Sequence, residues 1–279
     1  MKNVSPRVWS EGARALLLVL VVGSALFACS GCPDRTGSGD GTTLSRDGLV
    51  DRLLAERARR ERMDGTIVAR ASGLRGFFTN AELDVAAERP RRLHLSARSF
   101  FGQPLFTVVS DGEELTLYDI REGQAVYARG PANADAIERL LGVPLAPDDI
   151  LDLLLGAAPG VPSAASRVVV RDGARHVVSG VRDDGLAISI AARVTDDAIE
   201  RVVLGTAPSA LVVTLTDHVG REGGLMPSVV DIEWTRGAAS GDETLRLRLE
   251  VKEARLNGPA LGDGAFTLSI PDGVTVEPL

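Results

Sequence analysis

Residues 90–160 read PRRLHLSARSFFGQPLFTVVSDGEELTLYDIREGQAVYARGPANADAIERLLGVPLAPDDILDLLLGAAPG, and a change of rhythm inside this stretch decides the fold. Up to Ala128, apolar and polar residues alternate in "RRLHLSA", "PLFTVVSD", "ELTLYDI" and "QAVYAR", the period-two signature of half-buried strands. Asp111-Gly112 and Glu122-Gly123 punctuate them as hairpin turns, so the strands pair antiparallel. The spacing then switches to that of a helix. Ala136, Ile137, Leu140 and Leu141 share one face of a helix predicted over Asn133 to Leu141, with Gly142 as its stop. A second helix is predicted over Pro147 to Leu155, with Asp148 and Asp149 in the first turn, where they suit the helix dipole, and Gly156 beyond its end. Ile150, Leu151, Leu153, Leu154 and Leu155 leave it almost no polar side beyond Asp152, so it must be covered on most faces.

Outward from this stretch the pattern repeats. Upstream, Leu49, Val50, Leu53, Leu54 and Ala58 recur at helical spacing from about Ser45 to Met63, which predicts an amphipathic helix packed on the domain; its basic end leaves a membrane-surface role as the alternative. Two strand-like runs follow, "GTIVARAS" and "FFTNAELDVAA". Downstream of "AAPGVPSAAS" the chain returns to strands: "SRVVVRD", "RHVVSGV", "LAISIAAR", "ERVVLGT", "ALVVTLTD", "SVVDIEWTR", "ETLRLRLEVKEARL" and "AFTLSI". Asp172-Gly173, Asp184-Gly185 and Asn257-Gly258 supply turns. The fold class is therefore mainly β: a leading helix, about six strands, two helices, then about eight strands. A large antiparallel sheet with so few helices curls, and the helices plug its open concave face.

The N-terminus has a different character. Lys2, Arg7 and Arg14 precede an apolar run, Ala15 to Phe27, and then small residues before a cysteine, the layout of a secretory signal over residues 1–28. The run is shorter than the roughly 20 residues a permanent spanning helix needs. Both cysteines of the chain lie in "CSGC", residues 29–32. A redox pair belongs at the start of a helix in a βαβ unit, and a structural zinc site needs four ligands; neither context is present. A short exported disulfide is a further reading. "LFAC", residues 26–29, resembles the lipobox of bacterial lipoproteins, which implies diacylglycerol on Cys29, cleavage before it and acylation of the new amino group. By the same resemblance, Ser30 implies sorting to the outer membrane. Residues 29–44, rich in Gly, Ser and Thr, then form a lipidated flexible tether to a domain spanning residues 45–279.

Composition narrows the function. Removing residues 1–28 takes away three basic residues and Glu11, moving the net charge from −7 to about −9. An acidic exported domain has no electrostatic case for nucleic acid. His94, His176 and His218 stand in or beside strand-like segments without a metalloprotease, nucleophile-elbow or Ser-x-x-Lys pattern. The acidic doublets Asp148-Asp149, Asp183-Asp184 and Asp196-Asp197 read as solvated turns or a helix start, and none has the spacing of a calcium loop.

Residues 90–160 resemble the middle of LolB, the outer-membrane lipoprotein receptor of the lipoprotein localisation pathway, in the sequence strand, apolar residue before Gly, strand, turn, strand, helix, helix ending in "LLG", and Pro-Gly. The resemblance implies an unclosed antiparallel β-barrel with helices as a lid over an apolar cavity that holds acyl chains. It implies no enzyme activity and no cofactor, a monomer held on the membrane by its lipid, and a LolA-like periplasmic carrier as donor of cargo. The lining it implies includes Ile137, Leu140, Leu141, Ile150, Leu153 and Leu154. In that family an apolar residue before the Gly of the loop matching "SFFGQP" protrudes and places cargo in the membrane; here that is Phe101, with Phe100 beside it. Both rings capping the core at a strand end is the alternative. Two other functions stay open, an envelope scaffold or adaptor with the same fold and an exported hydrolase. An apolar pocket of several hundred cubic ångströms under residues 133–155 is expected for acyl-chain binding, and a barrel filled by its own side chains for a structural role.

Overall fold

A computed structural model describes residues 46–72, 80–98, 104–121, 124–141, 143, 145–207, 209–221, 224–236 and 243–279. The chain from Thr43 onward is one compact unit. It opens with helix α1 (Arg46–Arg59), then runs through six strands, β1 (Arg62–Ser72), β2 (Asn80–Glu88), β3 (Arg92–Arg98), β4 (Pro104–Asp111), β5 (Glu114–Arg121) and β6 (Gln124–Pro131). Helices α2 (Ala134–Leu141) and α3 (Pro147–Leu154) follow. Eight more strands complete it: β7 (Val168–Asp172), β8 (Arg175–Val181), β9 (Ala187–Arg193), β10 (Ile199–Leu204), β11 (Leu211–Arg221), β12 (Gly224–Arg236), β13 (Glu243–Leu256) and β14 (Val276–Pro278).

All fourteen strands belong to one sheet, in the order β14-β6-β5-β4-β3-β2-β1-β13-β12-β11-β10-β9-β8-β7. This order follows from two meanders. The first leaves β1 in one direction; after the helices, the second starts at the far side and works back until β13 pairs with β1. Every neighbouring pair is antiparallel except β14–β6. The sheet does not close on itself, and is an open half-barrel as the sequence leads one to expect.

Local chemistry sets the turns and the seam. At the β4–β5 turn, Asp111 Oδ1 accepts the N–H groups of Glu113 and Glu114, both at 2.9 Å, while Gly112 takes φ 108°. At the β1–β13 seam a Cβ on Gly65 would lie 2.0 Å from the Glu253 carbonyl oxygen, so only glycine allows the strands to meet there. The register slips between Thr66 and Ile67, next to this close approach.

Three expectations are corrected. The leading helix stops at Arg59, and Met63 is a buried strand residue. The Asn257 side chain ends it, donating to the Arg59 carbonyl at 2.7 Å and accepting the Glu61 N–H at 3.0 Å. Asn133 lies outside α2 as its cap, accepting the Ala136 N–H at 2.9 Å. "AFTLSI" is not a strand: a short 3₁₀ turn, Asp263–Phe266, buries the Phe266 ring beneath the Arg92 guanidinium, 4.3 Å from its centroid, and the last strand forms beyond it.

Candidate functional site

The concave face of the half-barrel is apolar by the same alternation that makes the strands. Ile67 and Ala69 of β1, Leu83 and Val85 of β2, Leu95 of β3 and Phe106 of β4 share it with Val230 and Ile232 of β12 and Leu247 and Leu249 of β13. These are six neighbouring strands of the sheet. Val143 and Leu145, with Ile150, Leu153 and Leu154 of α3, cover them from above. Between the two lies a cavity of about 100 Å³, and all fifteen residues around it are apolar.

This volume is smaller than the several hundred cubic ångströms the sequence leads one to expect. The reason is α3 itself, whose Ile150 and Leu153 are buried and fill much of the concavity. A dry cavity of about 150 Å³ takes one benzene. The space under α3 is smaller than that.

Besides its buried Ile150, Leu151 and Leu153, α3 is held by ion pairs and hydrogen bonds. The two oxygens of the Asp152 side chain, 1 % exposed, share the single N–H of Arg57 Nε, at 2.9 and 3.0 Å, and one of them accepts a further hydrogen bond from Arg89 Nη2. Asp149 accepts from Arg182 Nη1 at 2.6 Å, and Asp148 from Arg91 Nε at 2.8 Å. At the other end, Arg60 Nη1 donates to the carbonyls of Leu155 at 2.9 Å and Gly156 at 2.5 Å, and Nη2 to that of Leu225 at 2.7 Å. A buried guanidinium there meets the negative end of the helix dipole. Burial pushes the carboxyls of Asp149 and Asp152 upward, with the facing arginines pulling the other way, and it pushes the Arg60 guanidinium down.

The end of α3 is fixed by its backbone as well. Gly156 takes φ 66°, its N–H bonds the Leu153 carbonyl at 3.0 Å, and the Ala157 N–H bonds that of Asp152 at 2.7 Å, the Schellman arrangement. A Cβ on Gly156 would lie 2.6 Å from Pro227 Cδ.

Of the residues singled out in the sequence, Ile150, Leu153 and Leu154 line the cavity. Ile137 and Leu140 are buried in the same core cluster without lining it, and Leu141 ends α2 with its side chain outside the described part. Cys29, Phe100 and Phe101 lie outside the described residues. The reading of the acidic doublets as solvated is corrected at two places: Asp149 is buried against Arg182, and Asp197 pairs with Arg52 at 2.5 Å. Sequence reasoning missed Arg57, Arg60, Arg89 and Arg182 as partners of α3; the signal for the first three was the density of arginine in "AERARRERM" and "ERPRR", and Arg182 had none. None of the three histidines lines the cavity. Among the described residues no helix is long and apolar enough to cross a membrane.

An unclosed mainly β sheet with a helix laid over an apolar concavity is found also in solved structures. The chain is similar to a LolA superfamily protein from Nitrosomonas europaea, at 10 % identity and a TM-score of 0.52 over 78 % of this chain and 97 % of that one. It is similar also to a domain assigned as an outer membrane lipoprotein-sorting protein from Vibrio parahaemolyticus, at 7 % identity and a TM-score of 0.51 over 79 % and 97 %. The chain thus has the fold of the LolA superfamily. No protein-family model and no curated protein sequence matches it.

Proposed function

We propose that this protein is an outer-membrane lipoprotein, anchored through a lipid on Cys29, that receives acyl chains of lipoproteins or lipids beneath α3 and passes them to the bilayer. The observation that carries the reading is the cavity wall, on which six strands, Val143, Leu145 and α3 present apolar side chains alone. An acyl chain moving there from water is favoured by about 25 cal/mol for each Å² of apolar surface covered. Its release into a bilayer costs little, since both surroundings are apolar. The chain's part is to hold α3 shut by its ion pairs and to let it swing out when a chain slides between Leu153 and the sheet. Phe100 and Phe101 are proposed to face the membrane, and a LolA-like periplasmic protein is proposed as the donor. The likeness to the Vibrio parahaemolyticus lipoprotein-sorting domain supports this direction by analogy of fold.

The small size of the cavity favours a second reading, in which the filled half-barrel is an envelope scaffold or adaptor. A fluorescent acyl probe separates the two. Uptake by the wild type and its loss in Leu153→Trp, which fills the space at a stability cost of about 1–3 kcal/mol, supports transfer; equal fluorescence with and without protein supports the scaffold. For the anchor, Cys29→Ala is expected to leave an unprocessed or soluble protein, while Cys32→Ala keeps the lipid, as intact mass would report.

A further inference from the structure

Beside the C-terminal end of α3 lies a second cleft, of about 200 Å³, which shares no lining residue with the apolar cavity. The end of α1, the residues after α3, the β9–β10 turn and the paired ends of β11 and β12 build it. Arg60 lines it while being only 5 % exposed. The two Nη atoms of Arg60 donate to the carbonyls of Leu155, Gly156 and Leu225, but its buried Nε–H has no hydrogen-bond partner. Buried donors left in this way are rare in native proteins and call for an explanation. Open space adjoins this one. Gly224 lines the cleft without a side chain, and the point its Cβ would take lies 3.4 Å from Arg60 Nη2, 3.6 Å from Glu56 Oε2 and 4.0 Å from Arg60 Nε. No described residue beyond the chain neighbours of Gly224 comes closer to that point.

The charges of the cleft are already answered by one another. Glu56 Oε2 stands 3.8 Å from Arg60 Nη2, Asp197 pairs with Arg52 at 2.5 Å, and Asp196 with Arg193 at 3.0 Å. An ion therefore gains little here, and what stays open is hydrogen bonding. Glu56 accepts from Arg59 through Oε1, at 2.6 Å, and its Oε2 holds no hydrogen bond among the described residues. His218 has its Nε2 3.0 Å from the Ile199 carbonyl; a carbonyl only accepts, so Nε2 carries the proton and Nδ1 is left as an acceptor. One donor and two acceptors thus await a ligand, and a hydroxyl group is both. Since a cavity of about 150 Å³ takes one benzene, this cleft takes a ring that carries hydroxyls. We propose that it binds a small neutral polyhydroxy ring, a monosaccharide or a cyclic polyol. One hydroxyl, set beside Gly224, accepts from Arg60 Nε and donates to Glu56 Oε2, and another donates to His218 Nδ1. Leu53, Ala158 and Leu225 supply apolar wall for its C–H groups. This site is separate from the cavity under α3, and stands whether or not acyl chains bind there.

The test follows the imidazole nitrogen resonances of the full-length chain, kept in a detergent without a sugar headgroup, during titration with glucose, galactose, mannose, N-acetylglucosamine or myo-inositol. His218 is expected to shift with at least one of these at a Kd of about 1 mM or tighter, while His94 and His176 stay in place. Raising the salt is expected to change that Kd by less than about twofold, as an uncharged ligand requires. Glu56→Ala, which removes one acceptor from a partly exposed position, is expected to weaken binding about tenfold at an unchanged melting temperature. If Glu56→Ala melts early, the His218 shift in the wild type decides alone. Absence of that shift with every compound would overturn the proposal, as would a shift whose Kd Glu56→Ala leaves unchanged. A shift produced by glycine or inorganic phosphate and by none of the polyhydroxy rings would also overturn it, since that result assigns the cleft to an ion.

Discussion

Single side chains in this protein are tuned by what they are packed against. His218, on β11, has its Nε2 3.0 Å from the Ile199 carbonyl, and burial pushes its imidazole below the ordinary value of 6.5. Below that value the unfolded chain takes up a proton that the folded chain resists, so this ring's contribution to stability is present above pH 6.5 and is lost as pH falls toward the folded pKa. Urea unfolding at pH 7.5 and 5.5 is expected to show a larger loss for the wild type than for His218→Gln. Equal losses would show that the ring does not sense folding. Glu200 works in the opposite range: hydrogen bonds from Arg175 and Arg193 hold its carboxyl below the usual value. Its contribution persists through mild acid and is lost only as pH falls through that lowered pKa.

Whole elements depend on contacts far apart in sequence. α3 is pinned by Arg57 from α1, Arg89 from the end of β2 and Arg182 from the end of β8, with Arg60 at its C-terminus. Removing one partner of a buried pair leaves the others uncompensated, and Asp152→Ala is expected to cost about 3–5 kcal/mol in urea denaturation. A loss below about 1 kcal/mol would place Asp152 with ordinary surface ion pairs. The strands were legible because a half-buried sheet writes its burial into every second residue, as in Ile67 and Ala69 or Val230 and Ile232. The hairpins were legible through Asp-Gly turns such as Asp111-Gly112. The pins of α3 were not, because no local pattern records that Arg182 reaches Asp149 across 33 positions. Asp152 read as the lone polar side of a helix, and only tertiary packing shows that its side chain is fully buried. The end of α1 was missed for a similar reason, since Asn257 that caps it lies some 198 positions away.

At the scale of the whole molecule, a curled sheet of fourteen strands encloses an apolar space that its own helix nearly fills. α3 turns its apolar face to the sheet, while its acidic residues meet arginines on the elements around it. The sheet and the order of its helices could be read from residues 90–160, but the volume beneath α3 could not, because it depends on how far Ile150 and Leu153 descend into the concavity. Native mass spectrometry of residues 33–279 recovered from the periplasm, free of the chain's own lipid, reads the occupancy of that space. An added mass identified as an acyl lipid, absent from Leu153→Trp, is the expected result; repeated recovery of the bare chain, with no acyl lipid taken up on addition, would contradict acyl-chain binding.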